Sequence, residues 1–204
     1  MRQVLEAKLR ETGANASVGA GLILGVTVNE VDEAVALWAP YMRQREIEIG
    51  RRVQHSHWDW SEKARAIHAA SNYIIAAVTA RGEIQALALW DEEFETGRHP
   101  EQSGSPLIYV HFLATAPWND GELVTAPRYR GAGTLLVRAG VERSIELGYR
   151  GRLGLHALPQ AEEYYRAKCQ FADLGRDSAG SHKGLSYFEF TPQLANAFIR
   201  RVGG

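Results

Sequence analysis

The chain has a single cysteine, Cys169, among 204 residues, so no intrachain disulfide can form and a reducing compartment fits. It has no surplus of one charge: 23 Lys and Arg stand against 24 Asp and Glu, for a formal net charge of −1. A dedicated nucleic-acid binder would carry a basic excess, so nucleic acid is not an expected partner. No apolar run approaches the ~20 residues of a membrane-spanning helix, and no membrane association is expected. The first residues, MRQVLEAKLRETG, carry charges throughout and do not read as a secretory signal. Internal repeats and long low-complexity tracts are also missing. The expectation left by these absences is a cytoplasmic globular protein. At this length it is most simply one domain, large enough to bury its core without a disulfide.

What is present reads as alternating strands and helices. Residues 1–20 read as an N-terminal extension, with a short helix over 4–9 and a polar loop, TGANASVGAG. Residues 21–204 read as the single domain. The run GLILGVTV (21–28) is apolar enough for a strand buried on both faces. Asn29, with Asp32 three places on, offers a helix cap, and Val31, Val35, Trp38 and Met42 then share one helical face. That helix is expected to reach Glu48, before Gly50. Asp59 with Glu62 opens a second helix through Ala70.

Residues 73–80 and 84–92 read as strands joined by a tight turn at Arg81-Gly82-Glu83. TGRHPEQSGSP (96–106) reads as a flexible loop, and LIYVHFLAT (107–115) as the next strand. Helix is expected over 134–147, stopped by Gly148. A strand over 152–158 follows, then a helix opened by Pro159, a strand over 186–190 and a last helix from Pro192. The fold class is therefore α/β, of the mixed α+β three-layer type, with a parallel crossover between 107–115 and 152–158.

Two stretches carry Gly-Ala-Gly: Gly19–Gly21 and Gly131–Gly133. A backbone phosphate site needs N–H groups converging at a helix start, where the helix dipole adds to them. The first stretch follows a polar loop and leads into a strand, so it reads as strand entry. The second follows a strand, across the insertion APWNDGELVTAP, and opens a helix, with Arg128 and Arg130 adding positive charge. Neither contains the Gly-Lys-Ser/Thr of a Walker A loop.

HFLAT, then APRYRGAG, then LHALPQAEEYYRAKCQF together resemble the GNAT acetyltransferase superfamily. The resemblance is strongest over residues 109–190. The three segments look like that family's fourth strand, its pyrophosphate loop, and its fifth strand with the following helix. It implies a GNAT-like central mixed sheet flanked by helices, with splayed parallel fourth and fifth strands. It also implies acetyl-CoA as acyl donor, with no metal, and direct attack by a primary amine in a ternary complex. Arg128, Arg130, Gly131, Ala132, Gly133 and Thr134 would receive the pyrophosphate, and Leu113, Ala114 and Thr115 would lie along pantetheine and thioester. The motif reads Arg128-x-x-Gly131-x-Gly133 in full. Begun from Arg130, it meets Leu135 where Gly or Ala is usual. Gln170-Phe171 stands where the family usually has Gly-Phe.

Two chemical roles follow from the resemblance. His111 stands where family members often carry a carboxylate base, and an imidazole with a reference pKa near 6.5 accepts a proton near neutrality. Tyr165, four after Ala161, matches the family tyrosine that protonates the leaving thiolate, in preference to Tyr164. The acceptor is expected to be a small-molecule or peptide amine, and a homodimer is left open. The alternative is a non-catalytic acyl-CoA-binding module of the same fold.

Other clusters read more plainly. His55, His57 and His68 lack a third ligand fixed by spacing, so they do not make a zinc site. Trp58 and Trp60 read as an amphipathic patch at the start of the second helix, a region that the resemblance implies borders the acceptor. Asp91, Glu92, Glu93 and Glu95 read as a solvated strand end, the alternative being that some of them attract a cationic amine toward His111, and Cys169 reads as a small buried side chain.

Overall fold

The structure, a computed structural model, describes residues 2–67, 72–93 and 96–203. His68 and Glu95 lie outside the described residues. Strands β1 (Gln3–Glu11) and β2 (Ala16–Leu24) precede helices α1 (Val28–Ile49) and α2 (Trp60–Ile67). Strands β3 (Tyr73–Ala80), β4 (Glu83–Asp91), β5 (Ile108–Thr115) and the short β6 (Tyr129–Arg130) lead to helix α3 (Ala132–Glu146). Strands β7 (Leu153–Ala157), β8 (Ala172–Arg176) and β9 (Ser186–Phe190) and helix α4 (Pro192–Val202) complete the chain. The strands form one mixed sheet in the order β6-β1-β2-β3-β4-β5-β7-β9-β8. β5 and β7 run parallel; they are the strands that resemble the family's fourth and fifth. The class is the expected one, a mixed sheet flanked by helices.

The chain divides into two compact units, Met1–Leu89 with Phe112–Leu136, and Trp90–His111 with Val137–Gly204. In the first, β1 and β2 form an antiparallel hairpin, and β1 also pairs with β6. Residues 4–9 are therefore strand and not helix. Leu5 and Leu9 stand four apart, a spacing compatible with helix and strand alike; pairing on both sides of β1 settles it. Thr27 caps α1, its hydroxyl accepting from the Glu30 N–H while the Glu30 carboxylate accepts from the Thr27 N–H. The expected cap at Asn29 lies two residues inside. Gly50 ends the helix at φ +70°. Asp59 does cap α2, accepting from the Glu62 N–H at 2.8 Å.

Val31, Ala34 and Trp38 of α1 and Trp60 and Ala64 of α2 bury their faces against Ile75, Ala77, Leu87, Leu89 and Ala114. The insertion after β5 is built into this unit. Trp118 Nε1 and Asn119 Nδ2 donate to Gln85 Oε1 at 2.8 and 2.9 Å, and the Tyr129 N–H donates to Asn119 Oδ1 at 2.8 Å. A fully buried Gln85 is satisfied in this way, as burial of an amide requires.

The second unit holds the parallel pairing, with Ile108, Tyr109 and Val110 opposite Leu153, Gly154 and Leu155. β7 continues to Ala157 against β9. Gly140 of α3 packs at this point: a Cβ there would lie 3.0 Å from Trp90 and 3.3 Å from Leu153. The helix expected after Pro159 is irregular, a 3-10 turn at Pro159–Ala161 followed by a π-helical turn at Tyr164–Cys169. The 96–106 segment is anchored, contrary to its flexible reading. Buried Glu189 accepts from the N–H groups of Arg98 and His99 at 2.7 and 3.0 Å and from the Gln102 amide, and Thr96 bridges to Pro106. Polar composition marked a loop correctly but hid a carboxylate, far off in sequence, that fixes it.

Candidate active site

The first unit contains every residue assigned to the donor. Gly131 has φ +96°, and the α3 ladder starts with the Leu135 N–H donating to the Gly131 carbonyl at 2.9 Å. Gly131 is thus the cap, in a conformation that a side chain disfavours. The N–H groups of Ala132 and Gly133 fall in the first turn, where the helix supplies no acceptor. The approach to this turn is fixed from several sides. The Arg128 N–H donates to the Trp118 carbonyl at 2.9 Å, and the Arg128 carbonyl accepts from the Thr12 N–H at 3.1 Å. The Arg128 side chain pairs with Glu83 at 3.0 Å and lies over the Trp118 ring. Arg130 is exposed on β6, opposite Arg10. The start at Arg128 therefore places its first glycine on the left-handed cap. Glu11, Thr12, Gly13, Ala14, Ala126, Pro127 and Arg128 line an open pocket of about 450 Å³, which the Gly131 turn itself does not line.

Leu113, Ala114 and Thr115 close β5 in the same unit, with Ala114 buried and its two neighbours partly exposed. The other Gly-Ala-Gly, Gly19–Gly21, lies inside β2, paired residue by residue with Lys8, Ala7 and Glu6. A Cβ on Gly21 would meet Thr79 Oγ1 at 2.7 Å. Packing explains that glycine, and a nucleotide loop there is ruled out by its strand conformation.

His111 and Tyr165, the residues assigned to acid–base work, lie in the second unit. The His111 side chain is 23% exposed, and its Nε2 stands 4.0 Å from Oδ2 of fully buried Asp91. Burial lowers the His111 pKa; the Asp91 carboxylate opposes this and the charge of His182 adds to it. The ring is therefore neutral near pH 7, as a base must be. Asp91 and Glu92 are not a solvated strand end. Glu92 receives Arg143 through two hydrogen bonds at 2.7 and 2.9 Å.

Tyr165 is buried, 6% exposed, with the rings of Phe171 and Phe188 5.7 and 5.9 Å away. Burial holds its hydroxyl well above the ordinary phenol range, so it carries its proton throughout the working range. Cys169 beside it is buried and pushed up to about 11, in keeping with an unreactive thiol. Gln170 ends the π turn at φ 64°, doing in left-handed conformation what a glycine would do more cheaply.

Sequence reading missed a cluster in the second unit. Tyr109 Oη lies 2.6 Å from His156 Nδ1, and His156 Nε2 lies 2.9 Å from Asp177 Oδ2. The His182 ring stacks on His156 at 4.0 Å. These residues come from three separate segments, and no linear spacing announces them. His55, in the first unit, pairs with Asp120 at 3.2 Å.

No protein-family model matches the sequence, and comparison with curated proteins finds no match. Solved structures do match in fold. An acetyltransferase from Thermus thermophilus aligns with a TM-score of 0.52 at 14% identity, over 83% of this chain and 96% of that one. Mycobacterium smegmatis RimJ, solved with CoA-disulfide, gives 0.51 at 12% identity over 98% and 95%. Aminoglycoside acetyltransferase AAC(6')-Ib, solved with coenzyme A and kanamycin, gives 0.54 at 18% identity over 90% and 99%. The chain has the fold of the GNAT acetyltransferases. Among the described residues no helix is long and apolar enough to cross a membrane.

Proposed function

We propose that this protein is an acetyl-CoA-dependent N-acetyltransferase that acts in the cytoplasm on a primary amine. The observation that carries the reading is Gly131. On a GNAT fold, a left-handed glycine preceded by Arg128 opens a helix whose first amides have no acceptor from the helix itself. Such a turn is suited to a diphosphate, because N–H groups and dipole act together on negative charge. Arg130 adds positive charge beside the turn, Arg128 would have to leave Glu83 to join it, and Leu113, Ala114 and Thr115 supply strand backbone for pantetheine. An N–H on this strand end would favour the negative charge that develops on the thioester oxygen.

Acetyl-CoA supplies an activated acyl group. The amine nitrogen bonds to the carbonyl carbon, the carbon–sulfur bond breaks, and CoA leaves as the thiol. His111 takes the proton that the amine must lose, directly or through water. Tyr165 gives its proton to the departing sulfur. A primary amine is largely protonated at pH 7, so the base determines how much of it can react.

Calorimetric titration with acetyl-CoA tests the reading, with CoA and NAD as comparators. Micromolar binding of both CoA forms without NAD binding is expected. Thiol release is then measured with a panel of amines, beginning with an aminoglycoside because a protein of this fold was solved with kanamycin. Tight binding without thiol release from any amine would replace the enzyme by an acyl-CoA-binding module. Absence of binding would remove the reading altogether.

A further inference from the structure

We propose that His156, Asp177 and His182 form a site for one divalent transition-metal ion of the zinc class. None of the three ligands is a residue assigned to acetyl transfer, although Tyr109 and His182 adjoin His111, and the inference does not depend on that reading. One ligand atom from each residue lies within 4.8 Å of the other two. Around a tetrahedral zinc with bonds of about 2.0–2.1 Å, ligand atoms stand roughly 3.4 Å apart, so the 2.9 Å His156–Asp177 contact must open slightly while His182 moves in. Two imidazoles and one carboxylate are a donor set for zinc or a neighbouring first-row ion, with water completing the coordination.

The surroundings are those of a prepared site. The His156 side chain is 2% exposed and its Nδ1 is held by Tyr109 Oη at 2.6 Å. Without an ion, Nε2–H donates to Asp177 Oδ2 and Nδ1 accepts from the Tyr109 hydroxyl; an ion would displace the Nε2 proton, and Nδ1–H would then donate to Tyr109, the arrangement typical of ligating histidines.

His182 and Asp177 belong to one closed loop. The Gly184 N–H donates to the Asp177 carbonyl at 2.8 Å, the Asp177 N–H to Leu185 at 3.0 Å, and the Leu185 N–H to His182 at 3.0 Å. The partly exposed His182 can tilt from its stacked position to turn a nitrogen toward the ion. Arg98 Nη1 binds both Asp177 oxygens, at 3.1 and 3.2 Å. It supports the carboxylate as a neighbour but also opposes a cation, so binding is expected in the micromolar range and not tighter.

The test is titration of the tag-free, chelator-treated full chain with Zn²⁺ by calorimetry and with Co²⁺ by visible absorption. One ion per chain is expected, with the intense visible bands of a four- or five-coordinate Co²⁺. His182→Ala and Asp177→Asn should each weaken binding at least tenfold, while His55→Ala leaves it unchanged. Both loop substitutions are partly exposed, and circular dichroism with thermal melting confirms that they fold. If His156→Gln fails to fold, the two loop variants still decide. Absence of binding at millimolar metal, or binding that survives both loop substitutions, would overturn the site.

Discussion

Gly-Ala-Gly occurs twice in the first unit, and the two copies do different work. At 19–21 the chain is a paired strand, and Gly21 is required by a threonine side chain that comes too close for any Cβ. At 131–133 the chain leaves a short strand and turns into a helix, and Gly131 is required by its positive φ. Three identical letters thus answer a packing constraint in one place and a backbone constraint in the other. The flanking elements decide which constraint applies, so a glycine motif has meaning only with its strand and helix attached.

Substitutions separate the two cases. Gly131→Val places a branched side chain at φ +96° and removes the bare turn. Acetyl-CoA affinity should fall from micromolar to millimolar or weaker by calorimetry; retained affinity would move the phosphate elsewhere. His111→Gln leaves the turn untouched and should keep acetyl-CoA affinity while lowering kcat about 100-fold, the lower range for a general base.

Because burial lowers the His111 pKa, the base is free above a pH that lies below 6.5, and kcat/KM should fall only on the acid side of 6.5. The groups facing the ring are Asp91, Tyr109 and His182. An acid limb unchanged in His111→Gln would belong to another residue.

Gly21→Val should leave donor binding intact and cost about 1–3 kcal/mol of stability in urea unfolding, because Thr79 must yield. Gln170→Gly relieves a left-handed non-glycine residue but forfeits the Arg201 contact to its side chain. A net gain of about 0.5–1 kcal/mol is expected, since relief of the left-handed penalty is worth roughly 1–2 kcal/mol. Gly19→Ala, with open space where the Cβ would sit, should shift stability by less than about 0.5 kcal/mol. A large loss there would mean the first copy, too, has a role beyond strand formation.

Legibility followed the range of the forces involved. Elements set by local chemistry were readable: β3, the helix start at Asp59, the stop at Gly50, the helix after Gly131. So was the parallel crossover, because it is a consequence of order. β1 was misread because its leucine spacing fits two periods and only its partners choose between them. β6 and β8 escaped because short strands are stabilised by what they pair with. The residues that resemblance assigned to the donor all fall on one unit, and Gly131 has the backbone a phosphate turn needs. The His156 cluster was illegible, since its members meet only through β5, β7 and the loop after β8. Asp91 and Glu92 show the same limit: charge reads as solvent exposure until a distant Arg143 appears.

The Glu189 carboxylate limits how this chain can vary. It receives the main-chain N–H groups of Arg98 and His99, the Gln102 amide and the Tyr187 hydroxyl. Gly97 passes so close that a Cβ would lie 2.5 Å from the Gln102 carbonyl. Three donors from one short loop must therefore arrive at one fixed point. Such a loop can change its exposed letters at Pro100 and Glu101, but an added or deleted residue would pull at least one donor off its acceptor. Related chains that keep a glutamate at this position are expected to keep the loop's length, and those that lose it to vary in length.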